Sequence, residues 1–171
     1  MDPKFQYTHV KLLAFDLLSL LQTPSFSSDP ICFSRLGKSL SRAEILGLVT
    51  SREHKPNKFL KFTIDDGTGC VSCILWLNQL ASPYFSRRSP PDVRLIADVA
   101  THFASDIKIG VVARVRGRIT SYRGVVQITV SDVVIERDPN AETFHRLNCI
   151  KLARNYYGVA APLNAAVETC Y

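Results

Sequence analysis

The side chains best suited to covalent or metal chemistry here are cysteines, histidines and a pair of aspartates. Cys70 and Cys73 are the closest thiols, in Cys-Val-Ser-Cys. Residues three apart on a strand point to opposite faces, and no second Cys-x-x-Cys or histidine pair completes the four ligands a structural zinc needs. No metal or other cofactor is expected. Asp65 and Asp66 could hold a cation, but adjacent residues on a hairpin diverge, and an acidic pair flanked by glycine is ordinary turn chemistry. His9, His54, His102 and His145 fall in unrelated segments with no nucleophile elbow or phosphate-binding loop beside them. No catalytic constellation is found, so an enzyme is not expected. Five irregularly spaced cysteines argue against a disulfide framework and for a reducing, intracellular compartment.

The chemistry that remains is binding. Lys and Arg number 21 against 15 Asp and Glu, a net charge of +6, which suits a polyanion because neutralising phosphates releases counterions. Trp76, the only tryptophan, ends an alternating run in phase with Ser72 and Ile74. If Val71, Cys73 and Leu75 face the core, Trp76 faces outward and can stack on a base; the other reading is a core tryptophan. Tyr122 and Arg123 lie in a tight turn, where the one could stack and the other hold phosphate, or both could be ordinary turn residues. Lys55, Lys58 and Lys61 interleave with Phe59, a pattern that suits a groove tracking a nucleic-acid backbone and also a solvated loop. Arg114, Arg116 and Arg118 form a one-sided stripe. The plain reading of that stripe is a solvent face, with Arg118 the member placed in the binding set.

These residues need a scaffold, and the sequence predicts a mainly β one. Five strands can be counted: about 43 to 53, 59 to 64, 70 to 77, 109 to 120 and 125 to 135. His54-Lys-Pro-Asn-Lys58 breaks the first strand from the second. Asp65-Asp-Gly-Thr-Gly69 supplies a hairpin, and Ser121-Tyr-Arg-Gly124 turns the fourth strand into the fifth. In the fourth strand Val111, Ala113, Val115 and Ile119 face one way and the arginines the other; in the fifth, Val126, Ile128 and Val130 face inward. After a loop containing Arg87-Arg-Ser-Pro-Pro91, the spacing of Leu95, Ile96, Val99 and Phe103 predicts a short helix. Three strands, a helix and two strands, with Gly117 available for a sharp bend, is the layout of a five-stranded Greek-key barrel of the OB type, with an open sandwich as its rival.

The flanks are shorter on signal. Val10 to Leu21 could be an extra strand leading into a turn of helix, or one amphipathic helix. It is too short to span a membrane, contains Lys11 and Asp16, and follows no basic n-region, so neither a membrane anchor nor a signal peptide is expected. A Ser/Pro stretch from Thr23 to Pro30 separates it from the barrel. Beyond Asp138-Pro139, the residues Phe144, Leu147, Ile150, Ala153 and Tyr157 form an apolar stripe on a helix, facing either a partner or the barrel itself. The organisation expected is an N-terminal extension (1–31), a barrel (32–138) and a C-terminal helix with its tail (139–171).

Three segments carry a family resemblance: Ala43-Glu-Ile-Leu-Gly-Leu-Val-Thr50, Phe62-Thr-Ile-Asp-Asp-Gly-Thr-Gly-Cys-Val-Ser-Cys-Ile-Leu-Trp76, and Val115-Arg-Gly-Arg-Ile-Thr-Ser-Tyr122-Arg. With the lead-in and the terminal helix they cover most of residues 8 to 157. The chain resembles the Stn subunit of the CST telomere-capping complex, in a short form similar to the plant members, and is similar in order to the middle subunit of replication protein A. The resemblance implies a nuclear protein that binds single-stranded telomeric DNA and protects chromosome ends. It also implies a Ten-type small OB-fold partner on the C-terminal helix and a large Ctc-type subunit. The alternative is a structural subunit of a replication-protein-A-like complex that binds partners rather than DNA.

Overall fold

Each predicted strand alternates apolar and polar residues, so its apolar face must be buried, either against a second layer or by the sheet curling onto itself into a barrel. The computed structural model shows the barrel; it describes residues 8–23, 32–35 and 38–157. The barrel strands are β5 (Arg42–Lys55), β6 (Phe59–Asp65), β7 (Cys70–Trp76), β8 (Val112–Tyr122) and β9 (Val125–Ile135). They run in the order β5-β6-β7-β9-β8, and β8 closes back onto β5. Every pairing within the barrel is antiparallel except that of β7 with β9. This is the expected Greek-key OB barrel.

Closure depends on β5, which serves two neighbours. Its residues 42–48 pair with β8 and its residues 48–55 with β6. The strand must bend between the two sets, and Gly47 sits at the bend, where a Cβ would collide with the carbonyl of Asp65. Gly117 does the same for β8. The register with β9 shifts between Arg116 and Gly117, and a Cβ there would meet the carbonyl of Thr129. Close backbone approach at a bulge is a role only glycine fills without strain. Inside, Ile45, Val49, Leu60, Phe62, Ile64 and Ile128 are fully buried, each worth about 1.5–3 kcal/mol on removal from water.

The lead-in turns out to be a strand followed by a helix. β1 (Val10–Lys11) adds to β5 in parallel, and α1 (Ala14–Leu18) follows at once. The helix starts there because the turn after β6 caps it. Asp66 Oδ2 accepts from the amide of Ala14 at 2.7 Å, and Thr68 Oγ1 accepts from that of Phe15 at 3.1 Å. Leu12 and Leu17 reach the barrel core, as does Phe33 of β3 (Cys32–Arg35). β3 lies between β2 (Leu21–Thr23) and β4 (Lys38–Leu40) in a small antiparallel sheet. The Ser/Pro stretch at 24–30 and the tail after residue 157 lie outside the described residues.

Two predicted elements shift. The fourth strand was expected from Ile109 but begins at Val112, because Gly110 turns the chain at φ +89°. The helix between β7 and β8, α2 (Pro90–Asp106), is longer than its apolar spacing implied. Ser89 caps its start by accepting from the amide of Asp92. At its other end Arg52 of β5 donates to the carbonyls of Ala104 and Ile107 at 3.2 and 2.9 Å. Those bonds fix the helix against the barrel with Val93, Ala100 and Ala104 buried, whereas Leu95 and Val99 stay exposed. Gly117→Ala should lower the unfolding free energy by about 1–3 kcal/mol, as expected for overpacking at a closed contact, read from urea denaturation with the slope unchanged.

Candidate nucleic-acid interface

Strand register brings side chains from distant segments into one outward row. Lys61 of β6 lies opposite Ile74 of β7, Ile74 opposite Thr129 of β9, Thr129 opposite Arg118 of β8, and Arg118 opposite Arg42 of β5. Trp76 stands at one end of this face, opposite Phe59. Val71, Cys73 and Leu75 are buried, and Trp76 is 44% exposed, so it points outward. Its ring meets that of Phe59 edge to face, with centroids 6.2 Å apart and planes at 78°. Gln79 Nε2 donates to its backbone carbonyl at 2.6 Å. The tryptophan is thus held on one side and open on the other.

Basic residues frame this aromatic pair. Lys55 places Nζ 5.2 Å from the centre of the Phe59 ring but is also 3.1 Å from the Glu53 carboxylate. Among the described residues Lys58, Lys61 and Arg118 make no ion pair, and all three are exposed. Tyr122 and Arg123 lie at the opposite end, about 20 Å from Trp76 along the strand direction by strand rise. Arg123 and Gly124 both have positive φ, +52° and +80°, as a two-residue hairpin of the twist-matched type requires. The Arg123 guanidinium lies 5.3 Å from the centre of the exposed Tyr122 ring.

The arginine stripe splits. Arg114 and Arg116 were expected on a solvent face, but they serve a buried acid. Glu44 of β5 points outward beneath β1 and the C-terminal helix, α3 (Ala141–Leu152), where it is almost fully buried. Lys11 reaches it at 2.8 Å, Arg116 at 2.6 Å and Arg114 at 4.0 Å. Arg114 also pairs with Glu136 at 2.6 Å, and Arg116 with Asp132 at 3.4 Å. Only Arg118 of the three is left facing the open surface.

The helix α3 presents two faces. Ala141, His145 and Cys149 are buried against the barrel, and Ala153, just past the helix, is half-buried toward the same core. Phe144, Leu147 and Ile150 form a separate exposed stripe, the first two 61% and 57% exposed. After Leu152 the chain widens into a π-type turn through Tyr157, whose side chain lies outside the described residues. Asp65 and Asp66 act as turn acceptors for Gly67 and Thr68, and Cys70 is exposed where Cys73 is buried. Among the described residues no group of three or more His, Cys, Asp or Glu is placed to hold a metal.

Residues 43–136 match the family of OB-fold nucleic acid binding domains. The chain is 54% identical over 160 residues to the CST complex subunit STN1 of Arabidopsis thaliana, covering 93% of this chain and 98% of that protein. It belongs to the STN1 family of CST complex subunits. Identity to the STN1 of Ailuropoda melanoleuca is 27% over 165 residues, 92% of this chain but 44% of that protein. The STN1-family fold also superposes on the S. pombe Stn1–Ten1 crystal structure with a TM-score of 0.68 at 16% identity, covering 90% of this chain and 96% of that one. A replication protein A heterotrimer bound to ssDNA gives 0.64 at 19%, covering 86% and 96%.

On this STN1-family barrel Trp76, Phe59, Lys61 and Arg118 share one surface with Lys58 at its edge, and Tyr122 and Arg123 stand at its far end. Thr129 and Gln127 belong to the same surface and were not singled out from sequence, although the inward phase of Ile128 and Val130 already turns them outward. The Glu44 cluster was missed entirely, because Lys11, Glu44, Arg116 and His145 are scattered along the chain. Burial is the main influence on His145, lowering its pKa from 6.5; the Leu12 carbonyl and Glu44 only partly oppose it. For Glu44 burial acts to raise the pKa, but hydrogen bonds from Lys11 and Arg116 outweigh it and the carboxyl titrates below 4.5. Both groups bind a proton less readily folded than unfolded, so both contributions are full at neutral pH and are lost on acidification. The first falls away below pH 6.5 and the second below pH 4.5. Thermal unfolding should show Tm declining from pH 7 to pH 5, and His145→Gln should flatten that part of the profile.

Proposed function

We propose that this chain is the non-catalytic, strand-binding subunit of a CST-type complex, covering single-stranded telomeric DNA at chromosome ends in the nucleus. The observation that carries the reading is the outward, edge-clamped Trp76 on a face lined by Lys58, Lys61 and Arg118. A base stacking on that ring gains about 1–3 kcal/mol without sequence preference, and the cations follow the phosphates. Tyr122 with Arg123 supplies a second stacking and phosphate-holding point at the far end. Membership of the STN1 family supplies the biological setting.

The exposed stripe Phe144, Leu147 and Ile150 supports a Ten-type small subunit docking on α3. A helix that has already buried Ala141, His145 and Cys149 on its own barrel presents a second apolar face that no described residue covers. A large Ctc-type subunit completes the proposed complex.

Fluorescence anisotropy with labelled telomeric oligonucleotides at two salt concentrations tests the strand reading. Trp76→Ala with Tyr122→Ala should weaken binding by at least about tenfold, and Lys61→Ala with Arg118→Ala should also flatten the salt dependence. Wild-type affinity in the double aromatic variant would leave the chain a partner-binding subunit only. Phe144→Asp with Leu147→Asp should abolish co-purification with the small subunit while leaving strand affinity unchanged.

A further inference from the structure

The helix α2 leaves two of its large apolar residues uncovered. Leu95 and Val99 are 64% and 43% exposed, and with Ile96 and Phe103 they form one wall of a groove of about 900 Å³. The opposite wall is the outer barrel face. Trp76 stands at its rim, Thr120, Thr129 and Ser131 bring hydroxyls, and Arg42 and Arg118 lie side by side across the β5–β8 pair. Within the lining, Gln79 is buried with its amide oriented by the bond from Nε2 to the Trp76 carbonyl, and its Oε1 has no hydrogen-bond partner among the described residues.

We propose that this groove is a nucleobase-binding subsite, in which one unstacked base of the single strand inserts between α2 and the barrel beside Trp76. The proposal rests on the strand-binding reading above and says where one base goes. Three chemistries meet in the groove, and a base with its phosphate needs all three. The aliphatic wall of Leu95 and Val99 fits the faces of a base. The hydroxyls of Thr120 and Thr129 bond to each other and that of Ser131 donates to the Arg116 carbonyl, so their remaining lone pairs accept from the amino edge of a base. Arg118 fits the phosphate that follows. Gln79 adds an unmet buried acceptor, the kind of group that a ligand N–H satisfies on a small side-chain movement. An apolar peptide would match only the α2 wall and would leave Arg118, which makes no ion pair among the described residues, facing no opposite charge. The groove shares Trp76 with the proposed strand-binding face, so a strand leaving that ring enters it directly.

The test uses the full chain with oligonucleotides carrying a single abasic residue at successive positions, read by anisotropy and by quenching of the lone tryptophan. Leu95→Gln with Val99→Gln replaces exposed residues with good helix formers, and an unchanged Tm verifies the fold. The variant should bind about tenfold more weakly with the wild-type salt dependence, because apolar contacts release no counterions. One abasic position should cost the wild type about tenfold and the variant nothing. Undiminished binding by this variant, alongside loss in Trp76→Ala, would overturn the subsite and leave the strand-binding reading intact. Loss of partner-subunit association with unchanged strand affinity would also overturn it, making the groove a protein-docking face. Failure of the wild type to bind any oligonucleotide would overturn both readings.

Discussion

A single buried carboxylate ties the ends of this chain to its middle. Glu44 projects from the outer side of β5 at a place where water is excluded by β1 and α3, and a lone charge there would be strongly unfavourable. It is tolerated because Lys11 from the lead-in and Arg116 from β8 both bond to it, and Arg114 and His145 lie close by. Removing one partner from such a cluster costs about 3–5 kcal/mol, mostly for the charge left behind, even where the intact pair gains little over an apolar replacement. The cluster therefore specifies arrangement more than it adds stability. It fixes which strand β1 may join and where α3 lies.

That arrangement divides the barrel's outer surface by function. Around Glu44 the surface is closed, with Arg114 and Arg116 spent on carboxylates and α3 laid over the top. Across β6, β7 and β9 it stays open, with Lys61 and Trp76 exposed on it and Arg118 on the boundary. A strand on the open face and a protein on the outer stripe of α3 would not compete, since the two surfaces lie over different parts of the barrel's outer face. The same closure makes Gly47 and Gly117 indispensable, because the two bends bring backbone against backbone where no side chain fits.

The acidic hairpin shows how one motif can serve several elements. Asp66 accepts from Thr68 within its own turn, accepts from Ala14 at the start of α1, and offers its carbonyl to Arg146 of α3 at 2.7 Å. A turn sequence that reads as simple loop chemistry is in fact the junction of lead-in, barrel and terminal helix. Its carboxylates are engaged with backbone amides, which is why the pair is poorly placed to serve as a catalytic dyad.

Local pattern determined most of the barrel. Alternation in Val71 to Trp76 and in Val111 to Thr120 sets the inward and outward faces, turn glycines set the hairpins, and a period-two strand cannot misplace a side chain without turning its whole apolar set to water. The outward placement of Arg118 followed from that phase, whereas for Trp76 a core position stayed open until the burial of Val71, Cys73 and Leu75 turned it outward. What tertiary structure decided was which outward residues stay in solvent. Arg114 and Arg118 are indistinguishable in sequence, four residues apart on one face, yet one is held by Glu44 and Glu136 and the other lines an open groove. The face of α2 was equally undetermined, because the bonds from Arg52 orient the helix on Val93, Ala100 and Ala104 and leave Leu95 and Val99 exposed. In both cases the deciding groups lie dozens of residues away, and periodicity along a chain carries no record of what the fold will bring beside it.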